Sequence, residues 1–482
     1  MENRVTRFIY DHSPVLLQHA YTSAFGLRKR LQRFGGKCRQ YEESFRASAG
    51  WSREELEVYQ DEKVRQVVRQ AYQDVPFHRK RMDALHLRPE DIRGVADLPK
   101  LPLMEKAELR AAGQEVLSTA VRRHDMVSSV TSGSTGFPLH LCCTREALQR
   151  EYGFHWARRR PGIRRGQPCA LFGGFQIIRA DSLRPPFWRF DLANNTVCYS
   201  IFHISPTTIP AYLERMRRSR HAYLQGYPSV IAMLGKFILD HGIDWPCPPK
   251  AMFTAAEELL PDHREWIEKG FKTRVYNDYG QDEKCASITE YDCGHLHYDM
   301  DYSVIEFLPS HKAEDGRQVY EIVATAFDNP ALPYIRYRMG DLALLPEAPV
   351  ACERMHLPVV EAIYGRIAHS LISKDGRRIN NCTVIVQRCT RVEMVKCVQH
   401  EPGQVEIRVV RSPGYTQEDE QRLLSQFALR MGQMDFKMAY VDNIERTASG
   451  KFLSIVSKVP HDGQAGMSQP PAGSPPCSGE SG

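Results

Sequence analysis

The sequence predicts an α/β protein with a large N-terminal domain of β-sheets and helices and a small C-terminal α/β domain. Three observations carry that expectation. The chain has 482 residues, more than one core of ordinary size accommodates, so two or three domains are expected. From about residue 125 onward, short β-branched runs alternate with helical ones. Beyond residue 365 a self-contained pattern of strand, strand, helix and strand follows. The expected division is 1–364, helical over about 1–110, then 365–460, then a tail over 461–482.

In chain order, the basic, amphipathic VLLQHAYTSAFGLRKRLQRF at 15–34 is expected to pack on the body, a membrane-surface contact being the alternative. In EELEVYQDEKVRQVVRQAYQDV at 54–75, Leu56, Val58, Val64, Val67 and Val68 recur near the helical period, and Pro76 stops the helix. MVSSV and LHLCC read as strands on either side of VTSGSTGFPLH at 130–140, and TREALQREYGFHW reads as a helix capped by Thr144. The Ser/Thr/Gly loop therefore joins two strands. A Walker A loop would instead lead into a helix through Gly-Lys-Ser/Thr, which is missing here.

Further strands are expected at AMFTA (251–255), TRVYN (273–277), SVIEFL (303–308) and QVYEIVATAF (318–327). After GRIAHSLISKDGRRIN (365–380), VEMVKCVQ and QVEIRVV flank a Pro-Gly turn. TQEDEQRLLSQFALRMG then forms a helix capped by Thr416 with Asp419 three residues on, and DFKMAYV returns as a strand. The tail is rich in Gly, Pro and Ser and is expected to be disordered.

Composition excludes several classes. Hydrophobic residues at 42% and charged residues at 25% describe an ordinary globular protein. The longest apolar stretches, such as SVIAML at 229–234, are far short of a membrane span, and no secretory pattern opens the sequence. A cytoplasmic protein is expected. A net charge of +6 is too small to argue for nucleic acid, and the basic run ARRRPGIRRG at 157–166 has no interleaved aromatics for base stacking. The thirteen cysteines are scattered rather than set in a disulfide framework. Only KCASITEYDCGHLHYD raises a metal question: Cys285, Cys293, His295 and His297 form a candidate zinc set, with ordinary thiols and a polar turn as the alternative.

Four stretches carry chemistry. In the loop 131–136, Ser and Thr hydroxyls and close-approaching glycine backbone suit a phosphate. VYNDYGQDE at 275–283 ends a strand and presents an aromatic ring, Tyr279, beside Gly280 and the carboxylate of Glu283. A flat ring stacks on a purine, and a carboxylate holds magnesium. YIRYRMGDLALL at 334–345 is an alternating strand that breaks at Gly340 and delivers Asp341, an acid placed to accept ribose hydroxyls. ERTASGKFL at 445–453 offers Lys451 on a Ser-Gly turn, a flexible cation suited to an anionic transition state.

In this order the four stretches resemble the adenylate-forming superfamily of acyl-CoA synthetases, peptide-synthetase adenylation domains and luciferases. TSGSTGFP is similar to the phosphate loop, DYGQDE to the Tyr-Gly-x-x-Glu segment, RYRMGD to the Arg-Tyr-x-x-Gly-Asp segment, GRIAHSLISKDGRRI to the hinge region and RTASGK to the loop of the catalytic lysine. TAAEEL at 254–259 looks like the adenine-side segment. YQDEKVRQVVRQAYQDVPFHRK, DLPKLPLMEKAELR, AYLQGYPSVIAML and DNPALPYIRYRMGD narrow the resemblance to phenylacetate-CoA ligase and to the CapK branch associated with capsular polysaccharide biosynthesis. It covers nearly everything from about residue 50 to 458.

The resemblance implies an adenylate-forming architecture with a mobile C-terminal lid, and a reaction in two halves. A carboxylate attacks the α-phosphate of ATP, and a nucleophile, commonly the thiol of coenzyme A, then displaces AMP. It implies that Thr131, Ser132, Gly133, Ser134, Thr135 and Gly136 clasp the phosphates. Glu257, Asp278, Tyr279, Gly280 and Gln281 would line the nucleotide site, with Tyr279 on adenine. Glu283, catalytic together with Lys451, would bind Mg, Asp341 the ribose, Arg366 at the hinge would also contact the nucleotide, and Lys451 would bridge carboxylate and α-phosphate. The implied partners are a small aromatic or hydrophobic carboxylic acid, ATP and CoA; a carrier protein or sugar is the alternative acceptor, and a non-catalytic nucleotide-binding protein the alternative class. The chain departs from the family in carrying Leu139 and His140 where many members have a Lys, and Ile367, Ala368 and His369 after Gly365 and Arg366. Segment 223–229, YLQGYPS, is expected near the acyl pocket, for which dispersed apolar residues leave no local signature.

Overall fold

The computed structural model describes residues 4–130, 140–158, 162–179, 182, 184–313, 315–350, 352, 355–366, 370–374, 378–379, 391–412, 414–431, 434–447 and 451–459. The expectations for the loop 131–139, for 367–369 and for the tail lie outside the described residues.

The N-terminal region is helical: α1 (Arg4–His12), α2 (Val15–Arg33), α3 (Cys38–Ser48), α4 (Arg53–Asp74) and α5 (Pro76–Ala84). α4 opens with a capping box, the Ser52 hydroxyl accepting from the Glu55 N–H while the Glu55 carboxylate accepts from the Ser52 N–H at 2.7 Å. Leu56, Val64, Val67 and Val68 are buried as the periodicity requires, whereas Val58 is 67% exposed. Two positions from Leu56 is more than half a turn, so Val58 faces solvent. Pro76 does end α4, but it also starts α5, since a first helical position needs no backbone N–H. α2 packs on the body, its Gln18 amide oxygen accepting from Arg189 at 2.6 Å and its Ser23 hydroxyl donating to the Phe190 carbonyl at 3.1 Å. Leu16 and Leu31 on its other face are exposed. Among the described residues, no helix is long and apolar enough to cross a membrane.

After α6 (Lys106–Ala112), β1 (Met126–Val130) and β2 (His140–Thr144) pair antiparallel, so the Ser/Thr/Gly loop does join two strands. α7 (Arg145–Ala157) starts on Thr144, whose hydroxyl accepts from the Ala147 N–H at 3.1 Å. Next come β3 (Cys169–Phe172), β4 (Trp188–Asp191), β5 (Thr196–Tyr199), α8 (Ile209–Ser219), β6 (Tyr223–Gly226), α9 (Pro228–Asp240), β7 (Ala251–Ala255), α10 (Pro261–Phe271), β8 (Val275–Gly280), β9 (Ser287–Glu290) and β10 (Leu296–Tyr298). A second run holds β11 (Ser303–Lys312), β12 (Gln318–Ala326), β13 (Tyr337–Leu344), β14 (Val359–Val360) and β15 (Ala362–Arg366).

These strands build a nine-stranded sheet in the order β14-β10-β9-β8-β7-β6-β3-β5-β4 and a four-stranded sheet β11-β12-β13-β15. β5, β3, β6, β7 and β8 run parallel. α9 and α10 approach closely because two glycines meet: a Cβ on Gly235 would lie 2.4 Å from the Trp266 carbonyl oxygen, and one on Gly270 would lie 2.6 Å from that of Gly235. Two strand expectations shift. β8 continues to Gly280 because it pairs with β7 as far as Asp278 and with β9 through Gly280. β13 does not break at Gly340 but runs from Tyr337 to Leu344 with an irregular register against β12. Gly340 takes φ +75° there, the left-handed conformation of a bulge, and Asp341 sits within the strand.

The C-terminal part has its own core of Cys397, Ile407, Leu423 and Phe427. β16 (Leu371–Ile372) and β17 (Arg378–Ile379) form a short pair; β18 (Val392–Glu401), β19 (Gln404–Arg411), α11 (Gln417–Met431), β20 (Asp435–Tyr440) and β21 (Ile455–Ser457) follow. The sheet order is β20-β19-β18-β21. The predicted cap holds: the Thr416 N–H donates to the Asp419 carboxylate at 2.9 Å.

Candidate active site

Where neighbouring strands run parallel, their carboxyl ends open onto one side of the sheet, and ligands bind there. β6, β7 and β8 end at Gly226, Ala255 and Gly280, so the turns after them share one edge of the sheet, where a ligand crevice is expected. Past β7, Ala256 takes φ +71°, a left-handed conformation costing a non-glycine residue about 1 kcal/mol. Behind that turn, the Glu257 carboxylate accepts from the Ser229 N–H at 3.3 Å, in the first turn of α9. An acid at a helix N-terminus is favourably placed.

Glu257 also receives the C-terminal part of the chain. Its Oε1 accepts from the Phe452 N–H at 2.7 Å, and the Arg446 guanidinium lies 3.7 Å away while donating to the Ser229 hydroxyl at 3.0 Å. Between those two contacts the Thr447 N–H donates to the Lys451 carbonyl at 2.9 Å and the Lys451 N–H to the Thr447 hydroxyl at 3.0 Å. The lysine loop is thus docked on the crevice rim. Segment 223–229 borders the same place through β6 and the start of α9.

Beside it, the two sheets meet. The Tyr279 hydroxyl donates to Asp341 Oδ2 at 2.8 Å, joining β8 to β13. Burial and the Asp341 charge raise the Tyr279 hydroxyl well above its usual pKa, so it stays protonated and donates. Asp341 is buried and lies opposite Arg366 in the β13–β15 register. Glu283 is buried too, accepts from the Tyr337 hydroxyl at 3.1 Å, and faces the Lys106 ammonium at 3.7 Å. Gln281 holds the turn between β8 and β9 by accepting from the Ala286 N–H at 3.0 Å, and Asp278 is buried at the end of β8.

Lys106 and Tyr337 went unassigned in the sequence, since nothing local marks their pairing with Glu283. Both are delivered by β13. Arg336, at φ +50°, bonds Glu306 and the Leu101 carbonyl. The Met104 N–H donates to the Arg336 carbonyl at 2.9 Å and its carbonyl accepts from Arg338 at 3.0 Å, which sets α6 next to Glu283. Arg446 and Ser229 were missed for the same reason.

Burial, aided by Arg446, brings the nearby His263 down to about 4.

The zinc set needs one correction. Cys285 is fully buried against Gln281 and Met339, with its sulfur 3.4 Å from the Met339 sulfur. The strand β9 separates it from Cys293, and Cys352 joins Cys293, His295 and His297 instead. Thr131, Ser132, Gly133, Ser134, Thr135 and Gly136 lie outside the described residues, as does the side chain of Arg366.

Residues 371–458 match the CapK C-terminal domain family. Protein CapK of Staphylococcus aureus is 24% identical over 459 residues, 94% of this chain and 99% of that protein. Phenylacetate-coenzyme A ligase of Thermus thermophilus is 23% identical over 338 residues, 66% of this chain and 72% of the relative. Among solved structures, 2-hydroxyisobutyryl-CoA ligase in the postadenylation state superposes with a TM-score of 0.64 at 16% identity, covering 84% of this chain and 90% of that one. The chain is thus similar to CapK over nearly its whole length and to a phenylacetate-CoA ligase over two thirds of it, and it shares the fold of an acid-CoA ligase.

Proposed function

We propose that the protein activates a small carboxylic acid, aromatic or otherwise hydrophobic, with ATP, releasing pyrophosphate, and passes the acyl group to coenzyme A with release of AMP. The observation that carries this reading is the convergence of Glu283, the Tyr279–Asp341 pair and the docked Lys451 loop on the crevice at the ends of β6, β7 and β8.

In the first half, a carboxylate oxygen attacks the α-phosphorus and the bond to the β-phosphate bridging oxygen breaks. Little covalent work falls to the protein; the task is to hold two anions together and stabilise developing charge. Lys451 supplies a cation to both, Asp341 accepts the ribose hydroxyls, Tyr279 offers its ring to adenine, and residues 131–136 clasp the phosphates. Glu283 fits a divalent cation: it is a buried oxygen donor that already faces the positive charge of Lys106. Magnesium held there would screen the triphosphate. In the second half, a thiolate sulfur attacks the acyl carbon and AMP leaves.

A second reading keeps adenylation but transfers the acyl group to a carrier thiol or a sugar hydroxyl in surface polysaccharide modification. The match of residues 371–458 to the CapK C-terminal domain favours it. Pyrophosphate exchange over a panel of carboxylic acids identifies the acid, and AMP release with and without CoA separates the readings. Acyl-CoA formation is the expected result. Adenylation without any acyl-CoA would favour the second reading, and no exchange with any acid would count against both.

A further inference from the structure

We propose a structural zinc site, independent of the adenylation crevice, formed by Cys293, His295, His297 and Cys352. One ligand atom from each residue lies within 4.8 Å of all the others. A tetrahedral zinc with Zn–S near 2.3 Å and Zn–N near 2.0 Å sets its ligands about 3.3–3.8 Å apart, and Cys293 Sγ already stands 3.3 Å from His297 Nε2. Small rotations of exposed His295 and half-buried Cys352 close the rest.

Three features distinguish this set from a chance cluster. His297 is completely buried, and its Nδ1 donates to the Leu357 carbonyl at 2.8 Å. That bond fixes the tautomer and leaves the Nε2 lone pair towards the thiols, the outer-sphere arrangement that orients metal-bound histidines. Both cysteines are free thiols. Two thiolates and two neutral imidazoles also balance a dication, so a half-buried complex carries no net charge; binding releases the two thiol protons.

The site has a structural task. Cys293, His295 and His297 come from the turn between β9 and β10 and from β10 itself, at the end of the large sheet. Cys352 comes from the segment between β13, which carries Asp341, and β14, which pairs with β10 at His297 and Val359. A metal there fastens that segment to the sheet just before the chain enters β15 and Arg366. A mixed Cys/His tetrahedral set selects zinc among common cations.

The full-length chain, purified under reducing conditions without chelator, should contain one equivalent of zinc by mass spectrometry. After removal with a chelator, Co2+ should give the visible spectrum of a tetrahedral thiolate-bound ion, and zinc should displace it. Cys352→Ser should lose stoichiometric zinc, and Cys285→Ala should keep it. The cobalt spectrum needs no variant and so does not depend on a mutant folding. A reduced wild-type chain that binds neither metal, a Cys293–Cys352 disulfide in the reduced preparation, or zinc lost from Cys285→Ala and kept by Cys352→Ser would overturn the proposal.

Discussion

The contact between Tyr279 and Asp341 joins the ring proposed for the base to the carboxylate proposed for the sugar in a single hydrogen bond of 2.8 Å. Removing the hydroxyl leaves a buried carboxylate short of one donor, which costs about 1–3 kcal/mol. Tyr279→Phe should therefore raise the KM for ATP roughly 10-fold with a smaller change in kcat. An unchanged KM would mean that the bond does not orient Asp341 for the nucleotide. At this scale the sequence singles out residues that stand on their own turns, Tyr279, Glu283, Asp341 and Lys451, and the structure brings Tyr279 to Asp341 and buries Glu283. Lys106, Tyr337 and Cys352 were not legible, because their meaning comes from partners far away in the chain. Cys285 misled for the converse reason: nearness in sequence to Cys293 put them in one set, while β9 holds them apart.

At the scale of elements, the proposed chemistry depends on the docking of the segment from Arg446 to Phe452 on Glu257. Arg446 and the Phe452 N–H share the Glu257 carboxylate, and the Arg446 side chain is 12% exposed. Breaking a largely buried pair by removing one partner costs about 3–5 kcal/mol when the other charge stays buried. Glu257 keeps two backbone donors, so the loss should fall below that range. Arg446→Ala should slow single-turnover adenylate formation by about 10–100-fold, the equivalent of about 1.4–2.7 kcal/mol. Hydrogen exchange should rise in residues 444–453 and stay level in β6 to β8. Exchange rising equally throughout the large sheet would show that Arg446 serves general stability instead. Strand and helix identity was legible from period and caps, as Thr144 and Thr416 show. Strand ends were not: β8 ran on to Gly280 and β13 ran through Gly340 because neighbouring strands offered pairing partners.

Across the whole molecule, buried histidines set the acid limit of stability. Burial brings His78 down to about 4, its Nε2 donating to the Pro333 carbonyl, and likewise brings down His221, which pairs with the Tyr199 hydroxyl, to about 4. Both fold as neutral imidazoles, whereas the unfolded chain takes up protons below about pH 6.5. Their contribution is complete above pH 6.5, is lost as pH falls from there to about 4, and is constant below. Each removes about 3 kcal/mol. The unfolding temperature should fall steeply across that window, and His221→Gln should make it shallower. An equally steep fall in the variant would assign the acid sensitivity elsewhere. The two-part architecture was legible because the ordered motifs are spread along the chain. The way the parts meet, through Glu257, Arg446 and Phe452, was not, since that contact exists only once both have folded.

The central claim is that this chain forms an acyl-adenylate with Lys451 as the transition-state cation, and acid-dependent ATP–pyrophosphate exchange by wild type and Lys451→Ala tests it most directly. With the preferred acid, the account predicts exchange that falls by about 10²–10³-fold in the variant while ATP binding is retained. Exchange that proceeds at the same rate in Lys451→Ala would contradict it.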